Sequence, residues 1–209
     1  MSRGAVPAGP LPRGRHGLSR EQVETSQRLR LVQAMAEVMA EKGYAGTSVA
    51  DILRRARVSR ETFYELFSSK EDCFMSAFEA AYGHILDSVA PAVAAEGGAA
   101  APEPAIERFS RIFGHYLDAL VADPVAARVF LIEVYAAGPS AVRRRLELQA
   151  GLVEAIAALI DASEEERFAV EALLAAVVQL VTARLAVGDV DGLRELHGPV
   201  VSLARRLGF

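Results

Sequence analysis

Between Gln22 and Leu207 apolar residues recur at spacings of three and four, and no stretch alternates with the period of two that a half-buried strand requires. That regularity excludes sheet architectures and predicts an all-α chain without internal repeats. Leu31, Met35 and Val38, with Val32 and Met39, form the apolar face of a first helix that Gly43 ends. Thr47 suits an N-cap, and Val49, Ile52, Leu53 and Ala56 follow as the next buried stripe. Ser59 caps a third helix that runs to Phe67 and is only about 12 Å long at 1.5 Å per residue. Val58 and Phe63 stand where a hydrophobic staple would hold its start. Ser69, with Asp72 at the capping-box position, opens a fourth helix lined by Phe74, Ala77, Phe78, Ala81, Ile85 and Val89.

Residues 90–104 read as a loop or a fraying helix end. Ile106, Phe109, Phe113, Tyr116 and Leu120 mark the next helix, and Asp123-Pro124 starts another that is expected to run from Val125 to Ala137. Val142, Leu146, Gln149, Val153, Ile156 and Ile160 are taken as the apolar face of a further helix. Ser163 and Glu166 form a capping box for a long Ala-rich helix to Val187, closed by Gly188. Asp191 to Leu207 is helical in pattern, broken or restarted at Pro199.

The 209 residues suffice for a small module joined to a larger one. A lone cysteine, Cys73, excludes an internal disulfide framework and fits a cytoplasmic setting. The N-terminus lacks an apolar run of signal-peptide length, and Phe168–Val187 is interrupted by Glu171, Gln179 and Arg184, which argues against a membrane span. Residues 1–19 are expected as a disordered tail, in which Arg13 and Arg15 could touch DNA. Charge is uneven. Residues 1–75 carry 12 Lys/Arg against 9 Asp/Glu, and residues 76–209 carry 11 against 18, so a basic head sits on an acidic body.

Two short helices joined by the turn Arg57–Ser59 and supported by a longer first helix make a helix-turn-helix pattern over residues 20–68. In that geometry the second short helix enters the major groove by its N-terminal end. Phe63 and Phe67 supply its buried edge, while Arg60 can donate to guanine, Glu61 can accept from cytosine and Thr62 can touch a thymine methyl. The helix starts at Ser48 and Ser59 present backbone N–H groups suited to phosphate.

At this point the stretch Gly43–Phe74, GYAGTSVADILRRARVSRETFYELFSSKEDCF, resembles the DNA-binding region of the tetracycline-repressor (TetR) family. Gly43-Tyr44, Thr47-Ser48-Val49, Asp51-Ile52, Ala56, Val58-Ser59, Phe63-Tyr64, Phe67 and Ser69-Lys70 carry the likeness. The resemblance implies a homodimeric transcription factor, usually a repressor, that binds a palindromic double-stranded operator and is released by a small molecule. It assigns phosphate contact to Thr47, Ser48, Tyr64 and Lys70, and groove contact to Ser59, Arg60, Glu61 and Thr62. Tyr64 taken alone reads as a half-buried packing residue, and Lys70 as a solvated charge. Arg57 departs from the pattern by standing where the family commonly has a turn glycine, and Glu65 and Leu66 replace bulkier groups.

Residues 69–209 are then a helical ligand-binding and dimerisation domain. Phe78, Tyr82, Phe109, Phe113, Tyr116 and Phe130 are core by spacing alone, and the resemblance makes them candidates to line a cavity for a small, largely apolar effector. Glu133, inside an apolar run, needs either a partner such as Arg128 or a ligand's polar group. The dimer is expected on Phe168–Val187 and Asp191–Leu207, through Ala172, Ala175, Ala176, Val177, Leu180, Ala183 and Leu203. Arg143-Arg144-Arg145 reads as a solvated face. His84 and His115 lack a third ligand for a metal, no cofactor motif is present, and no catalytic cluster supports an enzyme. A protein-interaction adaptor built on the same helices is the remaining alternative.

Overall fold

The computed structural model describes residues 19–95, 103–159 and 162–208, and every regular element among them is helical. The expected arm residues Arg13 and Arg15 lie outside the described residues. The chain divides into two compact units, Met1–Glu79 and Ala80–Phe209, and the division falls inside the fourth helix.

The first unit begins with α1, Arg20–Gly46. Ser19 caps it reciprocally with Gln22: the Ser19 hydroxyl accepts from the Gln22 N–H at 3.2 Å, and Gln22 Oε1 accepts from the Ser19 N–H at 2.8 Å. The regular helix stops at Gly43 (φ 70°, ψ 167°), a conformation that a side chain would strain. α2 spans Val49–Ala56 and α3 Arg60–Leu66. The cap of α2 is Ser48 and not Thr47, because Ser48 and Asp51 satisfy each other's backbone N–H groups while the Thr47 hydroxyl donates to the Gly43 carbonyl at 2.8 Å. α4, Lys70–Ala94, starts at Ser69, whose hydroxyl accepts from the Asp72 N–H at 3.0 Å. Leu31, Met35 and Met39 of α1, Ile52 of α2, Phe63, Phe67, and Phe74 of α4 are fully buried together. Each buried phenylalanine contributes about 2–3 kcal/mol by area. Such burial stabilises helices too short to persist alone.

The second unit contains the remainder of α4, then α5 (Ala105–Ala122), α6 (Pro124–Leu131), α7 (Pro139–Leu159), α8 (Glu164–Ala186) and α9 (His197–Arg206). The expected helix to Ala137 is shorter: α6 stops at Leu131 and the chain tightens into a 3₁₀ turn, Glu133–Tyr135, as helix ends often do where the path must change. Gly138 (φ 115°) completes the reversal into α7. A second 3₁₀ segment, Asp191–Leu196, precedes α9, and Pro199 lies in the first turn of α9, where a missing N–H leaves no bond unmade.

Leu173, Val177, Val181 and Leu185 of α8 form one inward stripe in a core shared with Phe113, Leu117 and Leu120 of α5 and Ala127 and Leu131 of α6. Val177 is therefore core rather than a dimer contact, and Leu203 packs against the same core. By length and composition α8 could cross a bilayer, but this stripe packs on protein. Its other face leaves Phe168, Leu180 and Val187 exposed. In α7 Val153 is buried as expected, but toward the start Ala141 and Arg145 are buried in place of Val142 and Leu146, and Ala157 is buried beside the expected Ile156. Leu146 is exposed, and Arg145, expected on a solvated face, points inward at 4% exposure.

Candidate nucleic-acid interface

Two edges of α3 are set by the same three-residue start. Ser59 caps the helix, its hydroxyl accepting from the Thr62 N–H at 3.0 Å and donating to Thr62 Oγ1 at 2.9 Å. Phe63 and Phe67 then fix the inner edge, their ring centres 5.7 Å apart. The outer edge presents Arg60, Glu61, Tyr64 and Glu65 to solvent. Tyr64 is 51% exposed, so its ring is not core; it meets Phe63 edge-on at 5.2 Å. The Arg60 guanidinium lies 6.0 Å from the Tyr64 ring centre, one turn away. Thr62 is half-buried and Ser48 exposed. The arrangement offers donors, acceptors and an aromatic hydroxyl on one short exposed edge.

Two of the expected contact residues have other duties. Thr47 is buried to 3% exposure, and its hydroxyl donates to the Gly43 carbonyl inside the turn. The Lys70 ammonium donates to the carbonyls of Tyr44 and Thr47, each at 3.0 Å, and lies 3.9 Å from the Tyr44 ring centre. Burial lowers its pKa below that of an ordinary lysine. One N–H remains for an outside acceptor.

Arg57 adopts the left-handed conformation (φ 54°, ψ 47°) expected of the glycine it replaces. Sequence alone gave no hint of Arg28, which ties α1 to the end of α3. Its guanidinium sits 4.3 Å over the Phe67 ring and donates to the Leu66 carbonyl at 2.9 Å and the Ser76 hydroxyl at 3.1 Å. Asp51 is a further hub, accepting from the Ser48 hydroxyl at 2.6 Å and from Lys42 at 2.9 Å, and pairing with Arg54. The Ser48 bonds first, then Lys42, hold its carboxyl far below the usual carboxylate range. Two open clefts lie along α1 and α2, of about 260 and 340 Å³, lined chiefly by Arg30, Glu37, Glu41, Arg54, Arg55 and Arg57.

Residues 31–77 match the family model described as bacterial regulatory proteins, tetR family. That match covers the helix-turn-helix region of the chain. It is 37% identical over 60 residues to the uncharacterized HTH-type transcriptional regulator YvdT of Bacillus subtilis (strain 168), a match covering 29% of this chain and 31% of that protein. To YxbF, another such regulator of the same organism, it is 32% identical over 71 residues, 34% of this chain and 18% of YxbF. The chain thus matches under a third of the length of these curated relatives. The transcriptional regulator FadR of Bacillus subtilis, solved in complex with stearoyl-CoA, shares the fold with a TM-score of 0.65 at 20% identity, over 84% of this chain and 96% of FadR.

The residues expected to line an effector cavity are packed on their neighbours. Phe78 belongs to the first unit and packs on Phe74 at 6.2 Å. In the second unit Tyr82 stacks on Phe130 at 5.4 Å, and Phe113 stacks between Phe109 (5.6 Å), Tyr116 (6.2 Å) and His197 (5.9 Å). Phe113 is buried in the core of this unit, and Phe109, Tyr116 and Phe130 pack against that core while partly exposed. Glu133 is buried, with Arg128 Nη2 3.6 Å from its Oε1, and Arg128 Nη1 donates to the Leu185 carbonyl at 3.1 Å. Burial raises the Tyr116 phenol well above its ordinary value, with the Arg145 charge opposing the shift. Among the described residues no group of three His, Cys, Asp or Glu could hold a metal, and His84 lies 3.9 Å from Asp123. Cys73 is buried, and desolvation pushes its thiol up to about 12.

Proposed function

We propose that this chain is a sequence-specific, DNA-binding transcriptional regulator that acts as a homodimeric repressor in the cytoplasm and releases its operator when a small molecule binds the second unit. The observation that carries the reading is α3: a seven-residue helix anchored by Phe63 whose opposite edge leaves Arg60, Glu61 and Tyr64 in solvent. Ser48, Ser59 and Tyr64 are assigned to phosphates, with Lys70 contributing its remaining N–H, and Arg60, Glu61 and Thr62 to base edges. The exposed apolar face of α8, with Phe168, Leu180 and Val187 flanked by Ala172, Ala175 and Ala183, is suited to pair with a second copy. Two α3 helices about 34–36 Å apart would then read a palindromic site. FadR's complex with stearoyl-CoA supports a small-molecule effector bound in the second unit.

The test is binding of the purified chain to the intergenic DNA beside its own gene. Specific binding should weaken roughly 10³- to 10⁵-fold between about 50 and 200 mM salt if a dimer makes about six to ten phosphate contacts. Leu180→Glu should give a monomer in sedimentation and lose specific binding with it. Equal affinity for intergenic and random DNA would reject the reading.

A further inference from the structure

Arg145 is placed where arginine is least expected. It sits on the inward stripe of α7 with Ala141, Val153 and Ala157, and is 4% exposed. Among the described residues its one hydrogen bond is from Nη1 to the Tyr135 hydroxyl, at 2.7 Å, and its guanidinium carbon lies 5.0 Å from the centre of the same ring. Nε is buried with no acceptor. Among the described residues no carboxylate stands within ion-pair distance of it, and Glu133, the one buried carboxylate among them, has Arg128 beside it. A charge stripped of water and given a single neutral partner is costly to hold.

The edge of Arg145 carrying Nε and Nη2 is the side of a guanidinium that accepts two oxygens of one carboxylate in parallel. The surroundings supply the rest of a site. Tyr116, near enough for the Arg145 charge to act on its phenol, belongs to the aromatic stack with Phe109 and Phe113. Tyr135, whose hydroxyl occupies Nη1, is 56% exposed and lies on the 3₁₀ turn just before Gly138.

We propose that Arg145 is the anchor for a carboxylate-bearing effector whose apolar body lies against the Phe109–Phe113–Tyr116 stack, with the Tyr135 hydroxyl remaining on Nη1. The proposal rests on the ligand-response reading above and names the class of ligand. On binding, the Nε edge of Arg145, buried with no acceptor, gains a charged one, so the buried charge becomes paired. A neutral analogue of the same shape gains no such pairing.

The experiment uses the full chain, with thermal unfolding and calorimetric titration of benzoate, octanoate and hexadecanoate and of the alcohol matching each. At least one carboxylate should bind about ten- to a hundredfold more tightly than its alcohol, the margin expected for a hydrogen-bonded charge pair. Arg145→Met should remove that margin while leaving the unliganded unfolding midpoint equal or higher, since a buried unpaired charge has been replaced by an apolar chain of similar length. Tyr135→Phe should leave the carboxylate margin in place, since the Tyr135 hydroxyl occupies Nη1 and not the Nε–Nη2 edge. A carboxylate and alcohol binding alike, no carboxylate binding at all, or an Arg145→Met chain that retains the margin would overturn the proposal. So would a marked fall in the unliganded midpoint of Arg145→Met, which would mark Arg145 as structural. If a carboxylate binds through Arg145 and operator affinity is unchanged, the site stands and the release reading fails. If a neutral molecule releases the operator equally from wild type and Arg145→Met, release stands and the anchor falls.

Discussion

The Lys70 ammonium lies 3.9 Å from the centre of the Tyr44 ring and donates a 3.0 Å hydrogen bond to the Tyr44 carbonyl. With its second bond to the Thr47 carbonyl, it caps the turn that follows Gly43 and ties it to the start of α4. The residue proposed to meet a phosphate is thus also a structural clamp. Lys70→Ala should lower stability by about 1–2 kcal/mol, through two lost charge-assisted bonds at a half-buried site. It should also weaken binding to all DNA sequences alike. Denaturant titration checks the first effect and salt-dependent binding the second. An unchanged unfolding midpoint would show that the clamp contributes nothing.

Arg57 is the one residue other than glycine with a positive φ among the described residues. A left-handed side-chain residue costs roughly 1 kcal/mol relative to glycine. Arg57→Gly should therefore raise stability by up to about that amount, less the glycine's added freedom in the unfolded chain. Arg57→Val, branched at Cβ, should lower it. The pair of unfolding midpoints measures the strain directly.

Asp51 has its pKa depressed by Ser48, Lys42 and Arg54. A depressed carboxylate stabilises the fold at pH values above its unfolded pKa of about 3.9, and the contribution is lost as pH falls below it. Asp51→Asn should thus be less stable than wild type near neutral pH. The difference should shrink steadily below about pH 4, where the wild-type carboxyl begins to protonate in the unfolded chain. A difference independent of pH would mean that the ion pairs are immaterial.

Arg60 is exposed at the first position of α3, its guanidinium 6.0 Å from the centre of the Tyr64 ring. Arg60→Ala should leave stability within about 0.5 kcal/mol of wild type. Discrimination between operator and random DNA should fall by about 1–3 kcal/mol per half-site if Arg60 reads a guanine. Equal losses on both DNAs would assign Arg60 to the backbone instead.

Cys73, buried with its thiol pKa pushed up to about 12, should react with aromatic disulfides at neutral pH only as fast as the first unit opens. Denaturant below the unfolding transition should accelerate the reaction. A burst in native buffer would mean that the thiol is accessible.

Local chemistry made much of this protein legible from its sequence. Ser-x-x-Glu at Ser163 and Asp-Pro at Asp123 each satisfy N–H groups within one turn, so neighbours in sequence suffice to place those helix starts, whereas the Ser19–Gln22 box of α1 was passed over. The same holds for Phe63 and Phe67, four residues apart on one edge of a helix whose other edge is polar. What depended on distant partners was not legible. Thr47 and Ser48 are both plausible caps in sequence, and the Gly43 carbonyl, claiming the Thr47 hydroxyl, leaves the cap to Ser48. The phase of α7 was hidden by the same cause: Val142 and Leu146 look like the inner stripe, yet packing of α7 against α8 and the Glu133–Tyr135 turn puts Ala141 and Arg145 inside. Hydrophobic periodicity reports what a helix could bury, and a buried arginine is the case it cannot register. Only the tertiary structure decides which face is turned inward, because that depends on groups far apart in the chain meeting in one place.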